Sequence, residues 1–377
     1  MRNSDMIPID IERHISLLKQ FAAIPAPSHN EDKRVEFLLR ELHGMGIDDA
    51  YSDEAKNVLV PMGCEGAGGI TVYTAHTDVV FPDTTPLPVR EEGGRLYAPG
   101  VGDDTANAAA MLTTIRFIKE NGLRAKEPVL FVFDSCEEGL GNLKGVRRIM
   151  SDFEGRIKEL VSFDCSLDEG IVVKAVGSER FRVTARTKGG HSYGAFGSPN
   201  AIHRMAELIT KLYRQELPAS ADQRTTYNVG VIQGGTSVNT IAPSAEMLYE
   251  FRSDEHSSLE FMREQFLRLL READCPEAHF EAEVIGERPC GKNVDPEAQA
   301  RLLGRCSAAI KAVTGEAPLL SSGSTDANVP LSLGVPAVTF GLYIGAGAHT
   351  RDEWLELNSL ETGLEIALKL VVGGHFE

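Results

Sequence analysis

Residues 128–139 read PVLFVFDSCEEG. The first six residues form an apolar run rich in β-branched and aromatic side chains, which predicts a buried strand. Charged residues cannot continue such a strand, so the acidic residues that follow are expected at its end. Adjacent side chains point in different directions, so one of Glu137 and Glu138 could bind a metal ion while the other stays free as a base. A surface loop is the alternative for this stretch taken alone.

Short apolar runs of the same kind recur along the chain and alternate with helical patterns. The first 45 residues predict two amphipathic helices. Further strands are predicted at residues 69–75, 160–163 and 337–340, and further helices at residues 106–118, 143–150, 296–313 and 359–371. This alternation predicts an α/β fold with a mostly parallel central sheet, in which functional residues gather at the carboxyl ends of the strands.

A different pattern interrupts this one between residues 179 and 289. It predicts a strand at residues 180–185, a helix at 200–217, strands at 228–233 and 246–251, a helix at 258–272 and a strand at 279–285. That order is the split βαβ arrangement of a ferredoxin-like α+β domain. The sequence therefore predicts one domain made of residues 1–178 and 290–377, with a second domain, residues 179–289, inserted into it.

The composition argues against two classes of binding partner, nucleic acids and membranes. The 377 residues include 38 Lys and Arg against 55 Asp and Glu, a formal net charge of −17, which argues against a nucleic-acid partner. We find neither a signal peptide nor an apolar run of about 18 residues, so we expect no membrane partner and a cytoplasmic location. The six cysteines form no CxxC pair and are expected to be free thiols.

Polar residues also follow the other predicted strands. His76 and Asp78 end the strand at residues 69–75, and the Asp78 carboxylate could hold one ring nitrogen of His76 and leave the other for a metal ion. Asp164 closes the strand at residues 160–163, and His349 follows the last strand. Strand-end polar pairs and ordinary caps are the alternatives for these residues taken singly.

The turn that carries Asp103 and Asp104 adds two adjacent carboxylates between a glycine and a small-residue helix. Such a turn suits a hard or borderline cation, although an N-cap of the helix is an equally ordinary use of aspartate. A histidine and several carboxylates at neighbouring strand ends are the donors of a dinuclear zinc site. The sequence thus predicts such a site at the carboxyl edge of the sheet.

Five motifs resemble those of the M20 family of co-catalytic zinc metallopeptidases and amidohydrolases, nearest to its peptidase T-like branch. They are AHTDVV, GVGDDTAN, DSCEEG, SFD and GAHTRDE, in the family's order and over almost the whole chain. The motif GVGDDTAN departs from most relatives, which have Lys and Gly where Thr105 and Ala106 stand. This difference affects which subfamily the chain is expected to resemble. It does not affect the expected metal chemistry, because the metal-binding positions are intact.

The resemblance implies a role for each motif residue and two Zn²⁺ ions per chain, with Co²⁺ or Mn²⁺ as possible substitutes. Glu137 would be the general base and Asp78 the carboxylate behind the first histidine. A cis peptide bond would join the two residues of the Asp103–Asp104 pair. One ion would be held by His76, Asp103 and Asp164, and the other by Asp103, Glu138 and His349, with Asp103 shared.

The inserted domain would be the family's lid or dimerisation domain. His191 in KGGHS would stabilise the oxyanion, reaching in from the partner subunit of a homodimer, while Asn239 in GGTSVN and Arg252 would hold a substrate carboxylate. Without the resemblance, these three residues could equally be a polar loop residue, a turn residue and a salt-bridged strand residue. The segment GSTDA, residues 323–327, would line the pocket.

The predicted function is metal-dependent hydrolysis of an amide bond in small peptides, as in a di- or tripeptide aminopeptidase. The alternative is an amidohydrolase that removes an acyl group from an N-acyl amino acid with the same site. A third hypothesis, from a different class, is a catalytically silent binding protein that has kept the fold.

Overall fold

The computed structural model describes residues 8–218 and 223–377. Its helices are α1 (Ile11–Ala22), α2 (Asp32–Gly44), α3 (Asn107–Glu120), α4 (Lys144–Asp152), α5 (Ala201–Leu212), α6 (His256–Ala273), α7 (Pro296–Thr314), α8 (Asn328–Ser332) and α9 (Ser359–His375). Its strands are β1 (Tyr51–Ser52), β2 (Val58–Met62), β3 (Ile70–His76), β4 (Arg90–Glu92), β5 (Arg95–Tyr97), β6 (Val129–Asp134), β7 (Ile157–Phe163), β8 (Ile171–Ala175), β9 (Gly177–Arg186), β10 (Gly190–His191), β11 (Thr225–Gly234), β12 (Thr240–Ile241), β13 (Ser244–Ser253), β14 (His279–Arg288), β15 (Leu320–Gly323), β16 (Ala337–Phe340), β17 (Gly345–Ala346) and β18 (Trp354–Glu356). Among these helices we find none with the length and apolar character needed to cross a bilayer.

The chain divides into two compact units. The first comprises the residues up to Ala175 together with Lys292–Glu377, and the second comprises Val176–Gly291. An eight-stranded sheet forms the centre of the first unit, in the order β1-β2-β6-β3-β7-β16-β8-β15. Strands β6, β3, β7 and β16 run parallel to one another, while β2 and β8 run antiparallel to their neighbours β6 and β16. The predicted α/β fold with a mostly parallel central sheet is confirmed.

Both faces of the central strands are buried, which explains why their sequences are nearly continuous apolar runs. Every residue of β3 and β6 is buried. On one face, the ring of Tyr73 stacks between those of Phe131 and Phe163, with centroids 5.7 and 5.6 Å away. The opposite face carries a separate cluster that includes Val72 and Leu130. The central strands are therefore covered on both faces, and a ligand can reach them at their ends.

A small antiparallel sheet of the first unit, in the order β17-β18-β5-β4, was not predicted. Its strands have two or three residues each, which is too short for a period to show in the sequence. This sheet holds both ends of the loop that carries His349, because that loop connects β17 to its neighbour β18. It therefore gives that loop a rigid support.

The second unit contains a four-stranded antiparallel sheet in the order β11-β13-β9-β14. With α5 and α6 between its strands along the chain, it has the ferredoxin-like arrangement that the sequence predicts. Its core is aromatic, with the rings of Phe181 and Phe266 4.5 Å apart. Helix α5 ends at Leu212 rather than at residue 217 as predicted. The residue before Pro218 disfavours the helical conformation, which is consistent with an earlier end.

Candidate active site

His76 ends β3 and is buried. Its Nε2 lies 2.9 Å from Asp103 Oδ1, and its Nδ1 lies 3.1 Å from the backbone carbonyl oxygen of Asp78. The Asp78 carboxylate, expected to hold this nitrogen, is further away, with Oδ1 at 3.5 Å. A proton on Nδ1 donated to the Asp78 carbonyl leaves Nε2 as the nitrogen available to a metal ion.

The Asp78 carboxylate instead holds the backbone of the turn after β6. Its Oδ1 accepts a hydrogen bond from Glu137 N at 2.9 Å, and its Oδ2 accepts from Glu138 N at 3.0 Å and from the Ser28 hydroxyl at 2.6 Å. Burial raises the pKa of this carboxyl, but the bonds and charge of His76 and the bond from Ser28 outweigh burial and lower the pKa below its ordinary value. Asp78 is therefore ionised and positions the backbone of both glutamates.

Asp103 lies in the turn before α3, and its peptide bond to Asp104 is cis, as the resemblance implied. One oxygen of its carboxylate faces His76, and the other, Oδ2, lies 3.1 Å from Nε2 of His349. A single carboxylate thus lies between the imidazoles of residues 76 and 349, which are 273 positions apart in the sequence. His349 Nε2 is also 3.1 Å from Glu138 Oε1.

The predicted metal ligands of the first unit come together. Within the described residues, three groups of donor atoms lie within 4.8 Å of one another. They are His76, Glu137 and Glu138; His76, Asp103 and Asp164; and Asp103, Glu138 and His349. The second and third groups are the two ligand sets that the resemblance implied, and they share Asp103. The first group places the Glu137 side chain beside both sets.

The charges of this cluster fit metal ions. Burial, and then the charge of Asp103, raises the pKa of Asp164 well above its ordinary value, and burial raises the pKa of Glu138 to about 7. Hydrogen bonds with Asp103 and Glu138 raise the pKa of His349 to about 10. Several carboxylates gathered out of water repel one another, and divalent cations would offset that repulsion. Imidazole and carboxylate donors are ligands that zinc accepts.

The resemblance implied no ligand or catalytic role for two buried residues of the motif GVGDDTAN, Asp104 and Asn107. Asp104 accepts from the backbone N–H of His76 at 2.8 Å and from Asn107 Nδ2 at 2.7 Å. Asn107 also donates to the carbonyl of Cys165 at 3.1 Å and accepts from Leu342 N at 2.7 Å. These bonds tie the ends of β3, β7 and β16 together. The only signal in the sequence was a pair of polar residues at the start of an apolar helix.

His191 and Asn239 come together within the second unit. Strands β10 and β12 pair, and Ser192 N donates to the Asn239 carbonyl at 3.0 Å. The ring of His191 accepts at Nδ1 from the backbone N–H groups of Tyr193 and Gly194, both at 3.3 Å. In the neutral ring the proton therefore lies on Nε2, and the exposed imidazole presents an N–H donor.

Arg252 is not brought to these two residues. It lies near the far end of the ten-residue strand β13, whose other end, at Ser244, adjoins the β12 segment. At about 3.3 Å per residue, Arg252 is roughly 26 Å along the strand from Ser244. Its guanidinium donates to both oxygens of Glu250, at 3.0 and 3.1 Å. The structure thus shows the salt-bridged arrangement that was the alternative for this residue.

The segment GSTDA and the cysteines are mostly buried. Thr325 and Asp326 are buried, with the Thr325 hydroxyl 2.7 Å from that of Thr339, so of this segment only Gly323 and Ser324 are partly exposed to a ligand. All six cysteines are free, as predicted. Cys136 is buried and Cys165 half-buried, and burial raises the pKa of the Cys136 thiol to about 12.

Known proteins resemble this chain over most of its length. Acetylornithine deacetylase of Myxococcus xanthus is 27% identical over 328 residues, which is 83% of this chain and 82% of that protein. Succinyl-diaminopimelate desuccinylase of Corynebacterium glutamicum is 26% identical over 351 residues, 90% of each chain. The crystal structure of a tripeptidase from Staphylococcus aureus superposes with a TM-score of 0.77 at 24% identity, covering 96% of this chain and 98% of that one.

The sequence pattern of a peptidase family, M20/M25/M40, matches residues 72–372. This match includes every motif residue that converges at the carboxyl edge of the sheet, as well as the inserted ferredoxin-like unit. Because it spans well over half of the chain, the protein belongs to peptidase family M20/M25/M40.

Proposed function

We propose that the protein is a dizinc hydrolase that cleaves an amide bond in small peptides, in the manner of a di- or tripeptide aminopeptidase. The observation that carries the proposal is the Asp103 carboxylate, whose two oxygens face the Nε2 atoms of His76 and His349. A carboxylate shared in this way is what a two-metal site requires.

The ligand sets follow from the donor groups. His76, Asp103 and Asp164 would hold one Zn²⁺, and Asp103, Glu138 and His349 the other. When bound, the two ions would lower the pKa of a water molecule from 15.7 toward about 7 and polarise the amide carbonyl.

Glu137 is the group we assign as general base. Its side chain is buried beside His76 and Glu138, and its backbone is held by Asp78. Its carboxylate would accept a proton from the attacking water while the water oxygen bonds to the carbonyl carbon. It would then deliver that proton to the amide nitrogen as the C–N bond breaks, so that a carboxylic acid and an amine leave.

The second unit would serve as the lid and dimerisation domain. His191 would offer its Nε2–H to the oxyanion from the partner subunit, and Asn239 would contact the substrate carboxylate. Glu250 engages Nε and one hydrogen of Nη2 of Arg252, so Arg252 would bind the substrate carboxylate through Nη1 and the second hydrogen of Nη2.

The free edge of the second unit's sheet supports a homodimer. Among the described residues β11 pairs only with β13, and it exposes Val231 and Ile232. An unpaired, apolar strand edge is suited to pair with a second copy. Light scattering is expected to give twice 41.0 kDa for the wild type and 41.0 kDa after Val231→Lys and Ile232→Lys together. A wild-type mass of 41.0 kDa at every concentration would refute the dimer.

A second candidate, hydrolysis of N-acyl amino acids, is favoured by the two relatives named as a deacetylase and a desuccinylase. Zinc-reconstituted protein should be tested on tripeptides, N-acetylornithine and N-succinyl-diaminopimelate, with Glu137→Gln as the inactive control. We expect two zinc ions per chain by mass spectrometry and the highest kcat/KM on a tripeptide. Preference for the acyl compounds would overturn the peptide assignment. Metal binding without turnover of any substrate would favour the silent homologue, and absence of metal would refute the site.

A further inference from the structure

The carboxylate of Glu353 is buried against the turn that carries Asp103. Its Oε2 accepts a hydrogen bond from Gly100 N, and its Oε1 accepts from both Gly102 N and Asp103 N, each at 2.8 Å. The residue is only 2% exposed. Three backbone N–H groups of one turn thus depend on a single side chain about 250 residues away in the sequence.

The backbone of Glu353 is held beside a paired strand. It lies directly before β18, which pairs with β5, and its carbonyl accepts from Ala98 N at 3.3 Å. It also follows His349 by four residues in the same loop. Glu353 therefore connects the loop that carries one predicted ligand to the turn that carries another.

We propose that Glu353 is a positioning residue of the metal centre, which holds the Gly100–Asp103 backbone so that the Asp103 carboxylate points between His76 and His349. This inference rests on the proposed function. Glu353 is not a further ligand, because both of its oxygens are engaged with backbone N–H groups and it belongs to none of the three donor groups.

The two glycines of the turn also lie close to neighbouring side chains. A Cβ on Gly102 would lie 2.5 Å from the Tyr343 hydroxyl oxygen. Gly100 has a φ of 71°, and a Cβ there would approach Val79 even more closely. The turn is thus held both by close packing and by the hydrogen bonds to Glu353. Loss of the Glu353 carboxylate would leave the buried N–H groups of Gly100, Gly102 and Asp103 without acceptors and would let the Asp103 backbone shift.

The test compares Glu353→Gln and Glu353→Ala with a matched control, Glu356→Gln. Glu356 lies three residues further along, in β18, where its carboxylate is 3.5 Å from the partly exposed Arg95 side chain. Two readouts are measured on folded protein, namely hydrogen exchange of the amides of residues 100–103 in zinc-free protein and the zinc Kd by titration. Neither readout requires hydrolysis.

We expect faster exchange at residues 100–103 in both Glu353 variants and a zinc Kd raised by about 10- to 100-fold in Glu353→Ala. Glu353→Gln should be intermediate, because its one amide oxygen can still accept from Gly102 and Asp103. If the alanine variant does not fold, the glutamine variant decides. Unchanged exchange and unchanged Kd in a folded Glu353 variant would overturn the inference, as would a lower stability with the zinc Kd unaltered.

The same measurements separate this inference from the proposed function. If the wild type binds no zinc, the proposed function fails. The role of Glu353 in positioning a metal ligand then fails as well, whatever the hydrogen exchange of residues 100–103 shows. If the wild type binds two zinc ions and hydrolyses peptides while Glu353→Ala binds zinc equally well, only the Glu353 inference fails.

Discussion

Replacing Asp78 tests whether this carboxylate holds the turn after β6 or merely orients His76. In Asp78→Ala the buried N–H groups of Glu137 and Glu138 lose their acceptor. A buried donor without a partner costs about 1–3 kcal/mol, so the two together should lower the free energy of unfolding by about 2–6 kcal/mol. Asp78→Asn keeps one acceptor oxygen and turns its NH₂ group toward the other N–H, so about half of that loss is expected.

The assay is urea denaturation of zinc-free protein, with the free energy obtained from the midpoint and the slope. Ser28→Ala is the control, because it removes one bond to the same carboxylate and leaves both backbone N–H groups paired. That variant should lose only about 1 kcal/mol.

Zinc titration of the same variants completes the test. Since the turn carries Glu138, Asp78→Ala should also raise the zinc Kd by about 10- to 100-fold. An Asp78→Ala protein that unfolds at the wild-type urea concentration would refute the reasoning. If zinc binding weakened while stability stayed unchanged, the carboxylate would act on His76 alone, as the sequence suggested.

Three other changes have defined outcomes. Glu137→Gln should retain two zinc ions by mass spectrometry and lose about 10²- to 10⁴-fold in kcat, whereas loss of a metal ion would make Glu137 a ligand. Burial, then the charge of Arg116, lowers the pKa of His14 from 6.5 to about 4, so the unfolded chain binds the proton more readily. The contribution of neutral His14 to the free energy of unfolding is complete above pH 6.5 and falls by about 3 kcal/mol as the pH is lowered to 4. Urea midpoints measured across this pH range should show the loss in the wild type and not in His14→Gln. Parallel pH profiles of the two proteins would contradict this prediction. Gly102→Ala, with its Cβ 2.5 Å from the Tyr343 hydroxyl oxygen, should lower the unfolding free energy by about 1–3 kcal/mol, and an unchanged urea midpoint would show that the turn yields freely.

The sequence was sufficient to predict the central strands and the side chains at their ends. Strands such as β3 and β6 are buried on both faces, so their apolar runs are long and end sharply at charged residues. The adjacency of β6, β3, β7 and β16 followed from the parallel α/β pattern and is confirmed. The strands of the small sheet have only two or three residues each, so they show no periodic pattern of apolar residues in the sequence.

The partners of side chains were harder to predict than their positions. Glu250 and Arg252 are two residues apart on one strand, so their side chains lie on the same face and form a salt bridge, which the sequence analysis held only as an alternative for Arg252. Asp104, Asn107 and Glu353 bind backbone groups of remote segments. A backbone N–H has the same chemistry at every residue, so no sequence motif records which side chain will accept from it.

These backbone contacts explain how ligands from distant parts of the chain keep one spacing. Asp78, two residues after the β3 histidine, holds the turn after β6; Asp104, next to the shared aspartate, holds the end of β3; and Glu353, four residues after the last histidine, holds the turn before α3. Three of the five segments that carry predicted ligands thus hold another such segment through an acidic side chain that is not itself a predicted ligand. The 3.1 Å approach of His349 to Glu138 closes the series. Acidic residues at this edge of the sheet therefore fall into two groups, because some are the proposed cation ligands and others accept the backbone N–H groups that fix where those ligands lie.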